Sequence, residues 1–326
     1  MTAIPVLDLA PYLADEAGAL ETLAAALRDA LERVGFFFIV NHGVPQTLVD
    51  RVFAEAARFH ALPLDRKLAL KMSKHNTGYV PFGGGVSRAS AIADAPKPNL
   101  NAAFFMKRDR APDHPDVLAD VPFRGLNQWP NGLPGYRETL IEYFDRLEAL
   151  GKRLLPVYAT ALDLPPDFFA EAFDEPQITL RLSHYPPVEH DAGQFGLAPH
   201  TDAGFMTMLA QNELPGLAIR PAGGAWIDAP MIPGSFLVNS GDTLKRWTND
   251  RFLSTEHRVL NATGRDRYAI PYFFDPRTDY VIECLPTCRG PDNPPRYKPV
   301  AYGDYLKWFM TRNYRAGPDD PEIPPP

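Results

Sequence analysis

Between residues 177 and 285 the chain runs through eight or nine short apolar segments, nearly all bounded by Gly, Pro, Asn or Asp. They are 179–185, 195–200, 205–211, 217–220, 225–228, 235–239, 255–260, 267–274 and 280–285, and their hydrophobicity follows the two-residue period of strands. No helical pattern separates them. A parallel sheet needs a crossover helix between successive strands, so this stretch cannot build one. The segments predict an antiparallel sandwich or jelly roll, and the rest of the chain must fit around it.

What precedes this region reads differently. Residues 4–9 and 36–40 are strand candidates. Segments 16–34, 46–62 and 136–162 carry apolar residues at helical spacing, and Gly35 stops the first. Residues 73–135 are rich in Gly, Pro and Asn and weakly periodic, which predicts a long functional or mobile loop. A last amphipathic helix is expected over 302–314, followed by a proline-rich tail. The chain's 35 prolines agree with many bounded segments and extended connections. The expected class is mainly β with flanking helices. Its organisation is a region 1–125 with helices and a mobile loop, then 126–326 with the long helix, a β core at about 177–285 and the final helix. The two are expected to form one integrated unit.

Composition narrows the partners. Lys and Arg number 33 against 40 Asp and Glu, a formal charge of −7, so there is no electrostatic footprint for gripping a phosphate backbone. The longest aliphatic-aromatic run, Phe36 to Val40, is far shorter than the roughly 20 residues a membrane helix needs. No basic cluster or signal pattern opens the chain, and Cys284 and Cys288 cannot make a disulfide framework, so both are read as reduced thiols. A cytoplasmic monomer acting on a small molecule, without nucleic-acid or membrane partners, is the expectation.

A redox metal that must bind both O2 and an organic ligand needs few protein ligands and several open positions. Two histidines and a carboxylate on one face of an octahedron provide that. The trace in sequence is His-x-Asp plus a distant His, because residues i and i+2 of a strand point the same way. Two His-x-Asp sequences occur. His114-Pro115-Asp116 lies in a Pro/Asp-rich loop and reads as a solvated turn. His200-Thr201-Asp202 ends a strand candidate, and on context alone it is open to two readings, a metal pair or an ordinary turn. His257 lies on a later strand that a jelly roll can bring across to it. Ten residues on, Arg267, Ala269, Pro271 and Phe273 share one face of the segment 267–274. An arginine on an inward face needs an anion, either an internal Asp or Glu or the carboxylate of an acidic co-substrate.

Several ordered blocks then point the same way. Gly35-Phe36-Phe37 leading to Asn41-His42-Gly43-Val44-Pro45, and Asn239-Ser240-Gly241-Asp242 followed by Trp247-Thr248-Asn249, precede Ser254 and His257-Arg258-Val259. Over nearly its full length the chain resembles the isopenicillin N synthase-like branch of the Fe(II)/2-oxoglutarate-dependent dioxygenases. The resemblance implies a double-stranded β-helix (jelly roll) core carrying Fe(II) on His200, Asp202 and His257. It also implies 2-oxoglutarate held by Arg267 and Tyr185, O2 as oxidant and ascorbate as a supporting reductant. Hydroxylation would be the default outcome, with desaturation or ring closure as variants, and succinate and CO2 would be released. Arg181, Phe273 and Ala269 are candidates for the substrate pocket; Arg181 shares a face with Ser183 and Tyr185, and a salt bridge is its alternative.

Two departures stand out. The usual Arg-x-Ser pair appears as Arg267-Tyr268-Ala269, which removes a hydroxyl from the co-substrate's carboxylate. The plant-type Asn-x-Tyr-Pro appears as Ser183-His184-Tyr185-Pro186. Two other readings compete with the oxygenase: an iron oxidase that dispenses with 2-oxoglutarate, and a jelly-roll binding protein without turnover. Among the remaining histidines, His42 is expected to close a turn and His184 to face away from Tyr185. His60, His75 and His190 have no strand context for ligation. Gly83-Gly84-Gly85 reads as a hinge, and residues 73–110 with the C-terminal helix are expected to close over the pocket.

Overall fold

The computed structural model describes residues 4–85, 97–189, 191, 193–221 and 224–311. The expected proline-rich tail, residues 312–314 of the expected last helix, His190 and the centre of the 73–110 segment lie outside them.

The chain begins with β1 (Val6–Asp8), α1 (Ala10–Leu13), α2 (Ala19–Arg33), β2 (Phe36–Val40), α3 (Gln46–His60) and α4 (Leu64–Leu68). Next come β3 (Gly78–Val80), β4 (Ala102–Met106), α5 (Pro115–Leu118) and α6 (Tyr136–Ala161). The β-rich part comprises β5 (Gln177–Tyr185), β6 (Leu197–His200), β7 (Met206–Gln211), β8 (Leu217–Arg220), β9 (Ile227–Asp228), β10 (Phe236–Ser240), α7 (Asp242–Trp247), β11 (Glu256–Val259) and β12 (Arg267–Asp275). It is followed by β13 (Val281–Ile282), β14 (Val300–Ala301) and α8 (Tyr302–Met310).

Two sheets face each other. The larger has the order β1-β2-β10-β7-β12-β5-β4-β3 and the smaller β6-β11-β8-β9. Every pairing in them is antiparallel except β1 with β2. This is the jelly-roll core. The larger sheet is buried on both faces. Phe37, Ile39, Leu180, Leu182, Ile270, Tyr272 and Phe274 pack with the apolar stripes of α2, α3 and α6. Phe36, Phe38, Tyr185, Leu237 and Ala269 turn the other way, toward Leu217, Ile219 and Val259 of the smaller sheet. Two-sided burial explains why Phe36–Val40 is an unbroken apolar run instead of an alternating one. Each such side chain contributes about 1.5–3 kcal/mol on leaving water.

Several segments depart from the sequence expectation. β3 and α5, like β4, lie in the stretch expected to be loop, and α7, six residues and too short to show a helical period, lies between β10 and β11 where no helix is expected. All five residues of β4 are buried and it pairs with β5, so it lacks the alternation that betrays a half-exposed strand. The segment expected to be a strand over 280–285 contributes only Val281–Ile282, which pairs with β14 outside the sandwich. Beyond it the Leu285 amide donates to the Trp247 carbonyl at 2.8 Å, tying the chain to α7. The larger sheet takes β1 to β4 from before residue 125 and its other four strands from after it.

The joint between α3 and this sheet contains a titratable group. His60, at the end of α3, is buried, with its Nε2 3.0 Å from the Leu182 carbonyl of β5. Burial pushes its pKa down to about 3, and the nearby His184 and Lys67 push in the same direction. An unfolded histidine titrates near 6.5, so His60 is neutral in the fold where the unfolded chain becomes charged. Its contribution is complete above about pH 6.5 and is lost as pH falls toward 3, at about 1.4 kcal/mol per pH unit. Urea denaturation of the wild type and His60→Gln between pH 4.5 and 7.5 checks this. The stability advantage of the wild type is expected to shrink steadily below pH 6.5, and an advantage constant with pH would show that His60 titrates in the fold as it does in the unfolded chain.

Candidate active site

The end of β6, the turn after it and the start of β11 bring His200, Asp202 and His257 together. One ligand atom from each lies within 4.8 Å of the others. His200 and His257 are register partners across β6 and β11, so the later strand does cross to the first pair. The Nε2 atoms of His200 and His257 stand 3.9 and 3.8 Å from Asp202 Oδ1. The opposite ring nitrogens are occupied: His200 Nδ1 lies 2.8 Å from the Ala198 carbonyl, and His257 Nδ1 lies 3.2 Å from the Thr255 carbonyl. A carbonyl only accepts, so each Nδ1 carries the proton and each Nε2 presents its lone pair to the centre. Burial, reinforced by His257, pushes the pKa of His200 down to about 3. The edge of Phe36 packs on His257 with ring centroids 5.3 Å apart, so β2 steadies that imidazole.

Asp202 is divided in the same way. Thr207 Oγ1 and Asn239 Nδ2 donate to its Oδ2 at 2.6 and 2.7 Å, leaving Oδ1 turned to the histidines. Although burial opposes ionisation, the two imidazoles and these two donors hold the carboxyl below its usual range. The Asn239–Asp242 block then clamps the turn by its backbone. The amides of Asp242 and Thr243 donate to the carbonyls of Asp202 and Ala203 at 2.8 and 3.1 Å. A Cβ on Gly241 would meet the Asp202 carbonyl at 2.7 Å, so a side chain there would push the turn away. Two imidazoles, each with Nε2 toward the centre, and one carboxylate, all steadied from behind, form a donor set that fits a divalent iron.

On the larger sheet the odd-numbered residues of β5 and β12 face this centre. Arg267 is fully buried and pairs with Tyr185, over whose ring its guanidinium sits 5.1 Å from the centroid. Nη2 donates to Gln211 Oε1 at 3.4 Å, while Nε and Nη1 have no partner. Among the described residues no carboxylate pairs with Arg267, so the internal salt bridge left open by the sequence is absent. The next pair on this face is Ala269 with Ser183, and farther along Phe273 pairs with Thr179. Arg181 projects into the same cavity. It donates to Asn101 Oδ1 at 3.2 Å and lies over Phe105, and among the described residues it makes no salt bridge, the alternative read from sequence. Lys107, Thr179, Ser183, Thr207 and Asn239 also line the cavity, and α8 adds Tyr302, Leu306, Phe309 and Met310. Burial pushes the pKa of Lys107 down to about 8, and its Nζ donates to Thr179 Oγ1 at 2.7 Å.

Other candidates lie elsewhere. His114 caps α5 by accepting the Asp116 amide, and Asp116 joins Arg110, Arg124 and Glu175 in a half-buried ion cluster, a tighter setting than the solvated turn expected. His184 turns to the other face, 2.6 Å from Asp266 and stacked on Tyr268. His42 closes its turn by accepting the Val44 amide. His75 contacts Asp120, and Cys284 and Cys288 are buried free thiols. Sequence reasoning missed Lys107, which follows directly on β4 in a stretch read as loop, and it did not foresee the part of Asn239, visible only inside a family block.

Comparison with known proteins agrees with this arrangement. Residues 4–132 match the family described as the non-haem dioxygenase in morphine synthesis N-terminal region, and residues 176–276 match the 2OG-Fe(II) oxygenase superfamily. A 2-oxoglutarate-Fe(II) type oxidoreductase, hxnY of Emericella nidulans, is 34% identical over 322 residues, covering 96% of this chain and 91% of that protein. A full-length Neurospora crassa protein crystallised in complex with alpha-KG and thymine superposes with a TM-score of 0.83 at 27% identity, covering 95% of this chain and 96% of that one. The dioxygenase for auxin oxidation in rice gives a TM-score of 0.73 at 29% identity, covering 94% and 95%. Among the described residues no helix is long and apolar enough to cross a membrane. With its two family regions and its relatives matched end to end, the chain belongs to the isopenicillin N synthase-like Fe(II)/2-oxoglutarate-dependent oxygenases and is an enzyme that uses Fe(II), 2-oxoglutarate and O2.

Proposed function

We propose that His200, Asp202 and His257 hold the Fe(II), that Arg267 with Tyr185 docks the far carboxylate of 2-oxoglutarate, and that the oxidised substrate is a small monoanion bound at Arg181. Bound Fe(II) with 2-oxoglutarate and O2 supplies the oxidising power, with succinate and CO2 as co-products. Hydroxylation is the default outcome for a substrate carbon held beside the centre.

The observation that carries the metal reading is the division of labour at each ligand. Every atom turned away from the centre is hydrogen-bonded, and every atom turned toward it is free to ligate. Arg267 supports the docking reading. A fully buried guanidinium with two unpartnered N–H groups lacks an anion, and its planar fork suits a carboxylate. Charge balance supports the substrate reading. Lys107, Arg181 and Arg267 face Asp202 and Asp275 in the cavity, one positive charge in excess, and the charges of Fe(II) and 2-oxoglutarate cancel. The excess stays the same if Lys107 and Asp275 exchange a proton, since burial pulls the first down to about 8 and lifts the second to about 7. Arg181 has an unpartnered Nε, and its charge is felt at His200, so an anion held there lies beside the centre. Phe105 and Phe273 offer apolar walls for the rest of such a molecule.

Four measurements test these assignments. Asp202→Ala is expected to abolish the weak visible band that Fe(II) gives with an oxoacid under anaerobic conditions, and Asp116→Ala to retain it; the reverse pattern would move the metal to the other His-x-Asp. Arg267→Lys is expected to weaken 2-oxoglutarate by about 1.5–3 kcal/mol, because a point charge does not replace the fork. Succinate formed per substrate oxidised checks the co-substrate, and oxidation without succinate would make the protein an oxidase. For the substrate, small carboxylic acids and their matched amides are compared as stimulants of succinate formation. Acids are expected to be favoured at least about tenfold, and Arg181→Gln to remove the preference; equal stimulation by amides would refute the monoanion.

A further inference from the structure

The two departures from the family pattern, Ala269 and Ser183, are not independent. In the antiparallel ladder of β5 and β12 they are direct partners, two positions along from the pair Arg267 and Tyr185 and on the same face. Cβ atoms of directly opposed residues lie about 4.5–5.5 Å apart, and both residues line the cavity. Where the family pattern the chain resembles implies a hydroxyl on β12, this chain has a methyl group, and where that pattern implies an asparagine on β5, it has a hydroxyl.

The state of that hydroxyl is informative. Ser183 is 1% exposed and its Oγ has no hydrogen-bond partner among the described residues. A buried hydroxyl left unsatisfied is unfavourable, and natural proteins seldom retain one without a use. On the same face Arg267 Nε and Nη1 are equally unsatisfied. Three unpartnered donors, two on a guanidinium and one on the next pair along that face, therefore border one part of the cavity, and a single carboxylate has lone pairs enough for all of them.

We propose that Ser183 supplies from β5 the hydroxyl that position 269 lacks, donating a hydrogen bond to the 2-oxoglutarate carboxylate docked on Arg267. The donor has moved one strand sideways while staying within reach of the same anion. The gap left by Ala269 is thus compensated, and no loss of co-substrate affinity accompanies the missing serine. This assignment rests on the Arg267 docking reading.

The test is calorimetric titration of 2-oxoglutarate into the Mn(II)-loaded protein, which binds without turning over. Ser183→Ala is expected to weaken 2-oxoglutarate about tenfold or more, the effect of losing one hydrogen bond to a charged group. Mn(II) affinity is expected to stay unchanged, as is the melting temperature without 2-oxoglutarate, because the hydroxyl has no partner among the described residues. Ala269→Ser alone is expected to change little, yet in the double variant with Ser183→Ala it is expected to recover the lost affinity. Three results would overturn the proposal: wild-type affinity in Ser183→Ala, a double variant no better than Ser183→Ala, or a matching fall in melting temperature without 2-oxoglutarate. Arg267→Met separates the two layers. If it abolishes 2-oxoglutarate binding while Ser183→Ala is silent, only the serine assignment fails; if it binds normally, the docking reading and the serine assignment fall together.

Discussion

The site depends on the two-sided burial of β5 and β12. Because side chains alternate along a strand, a strand covered on both faces sorts its residues into two sets with no freedom to exchange them. The even residues Leu180, Leu182, Ile270, Tyr272 and Phe274 commit the sheet to the helical layer. The odd residues Arg181, Ser183, Tyr185, Arg267, Ala269 and Phe273 are thereby committed to the cavity. A slip of one residue would carry Arg267 into the helical layer and bring Tyr268 into the pocket. Hydrophobic packing on the far face, far stronger than any single polar contact, is what holds a buried guanidinium in place without an acidic partner.

Against that wall the proposed metal ligands stand on short, less regular segments, and hydrogen bonds do the positioning. His200 and Asp202 belong to the end of β6 and the turn after it, and His257 to a four-residue strand next to a register shift. Each ligand needs a partner behind it, and Asn239, Thr207 and two backbone carbonyls serve. Gly241 belongs to this support, since only a residue without a side chain lets α7 approach the Asp202 turn so closely.

How much of this could be read in the sequence follows from which signals are local. The His-x-Asp pair, the strand period of 267–274 and the blocks around Gly35 and Asn239 are contiguous, so the jelly roll, the enzyme family and the candidates His200, Asp202, His257 and Arg267 were accessible. β4 was not, because burial on both faces erases the alternation by which strands are recognised, and Lys107 was lost with it. The choice between the two His-x-Asp sequences depended on strand context, and the structure supplies its physical counterpart: Asp116 is taken by arginines, whereas Asp202 keeps one oxygen free. The pairing of Ser183 with Ala269 was out of reach. It depends on the register between strands more than eighty residues apart in sequence, which no local pattern encodes.

The electrostatics of the cavity follow from the same division between a packed wall and a supported turn. Burying Arg267 lowers its pKa, and ionising Asp202 there is opposed by burial, so both charges are held against a desolvation cost. Asp202 recovers it within the protein, through two donors and two imidazoles. Among the described residues Arg267 contacts the ring of Tyr185 and the amide of Gln211, and Arg181 contacts Asn101 and the face of Phe105, with no carboxylate paired to either. The uncompensated positive charge is therefore concentrated on the sheet wall, where side-chain direction is set by packing, and away from the turn that carries the proposed metal ligands. In the proposed docking an acidic ligand is held on this wall, whose side-chain directions packing has already fixed.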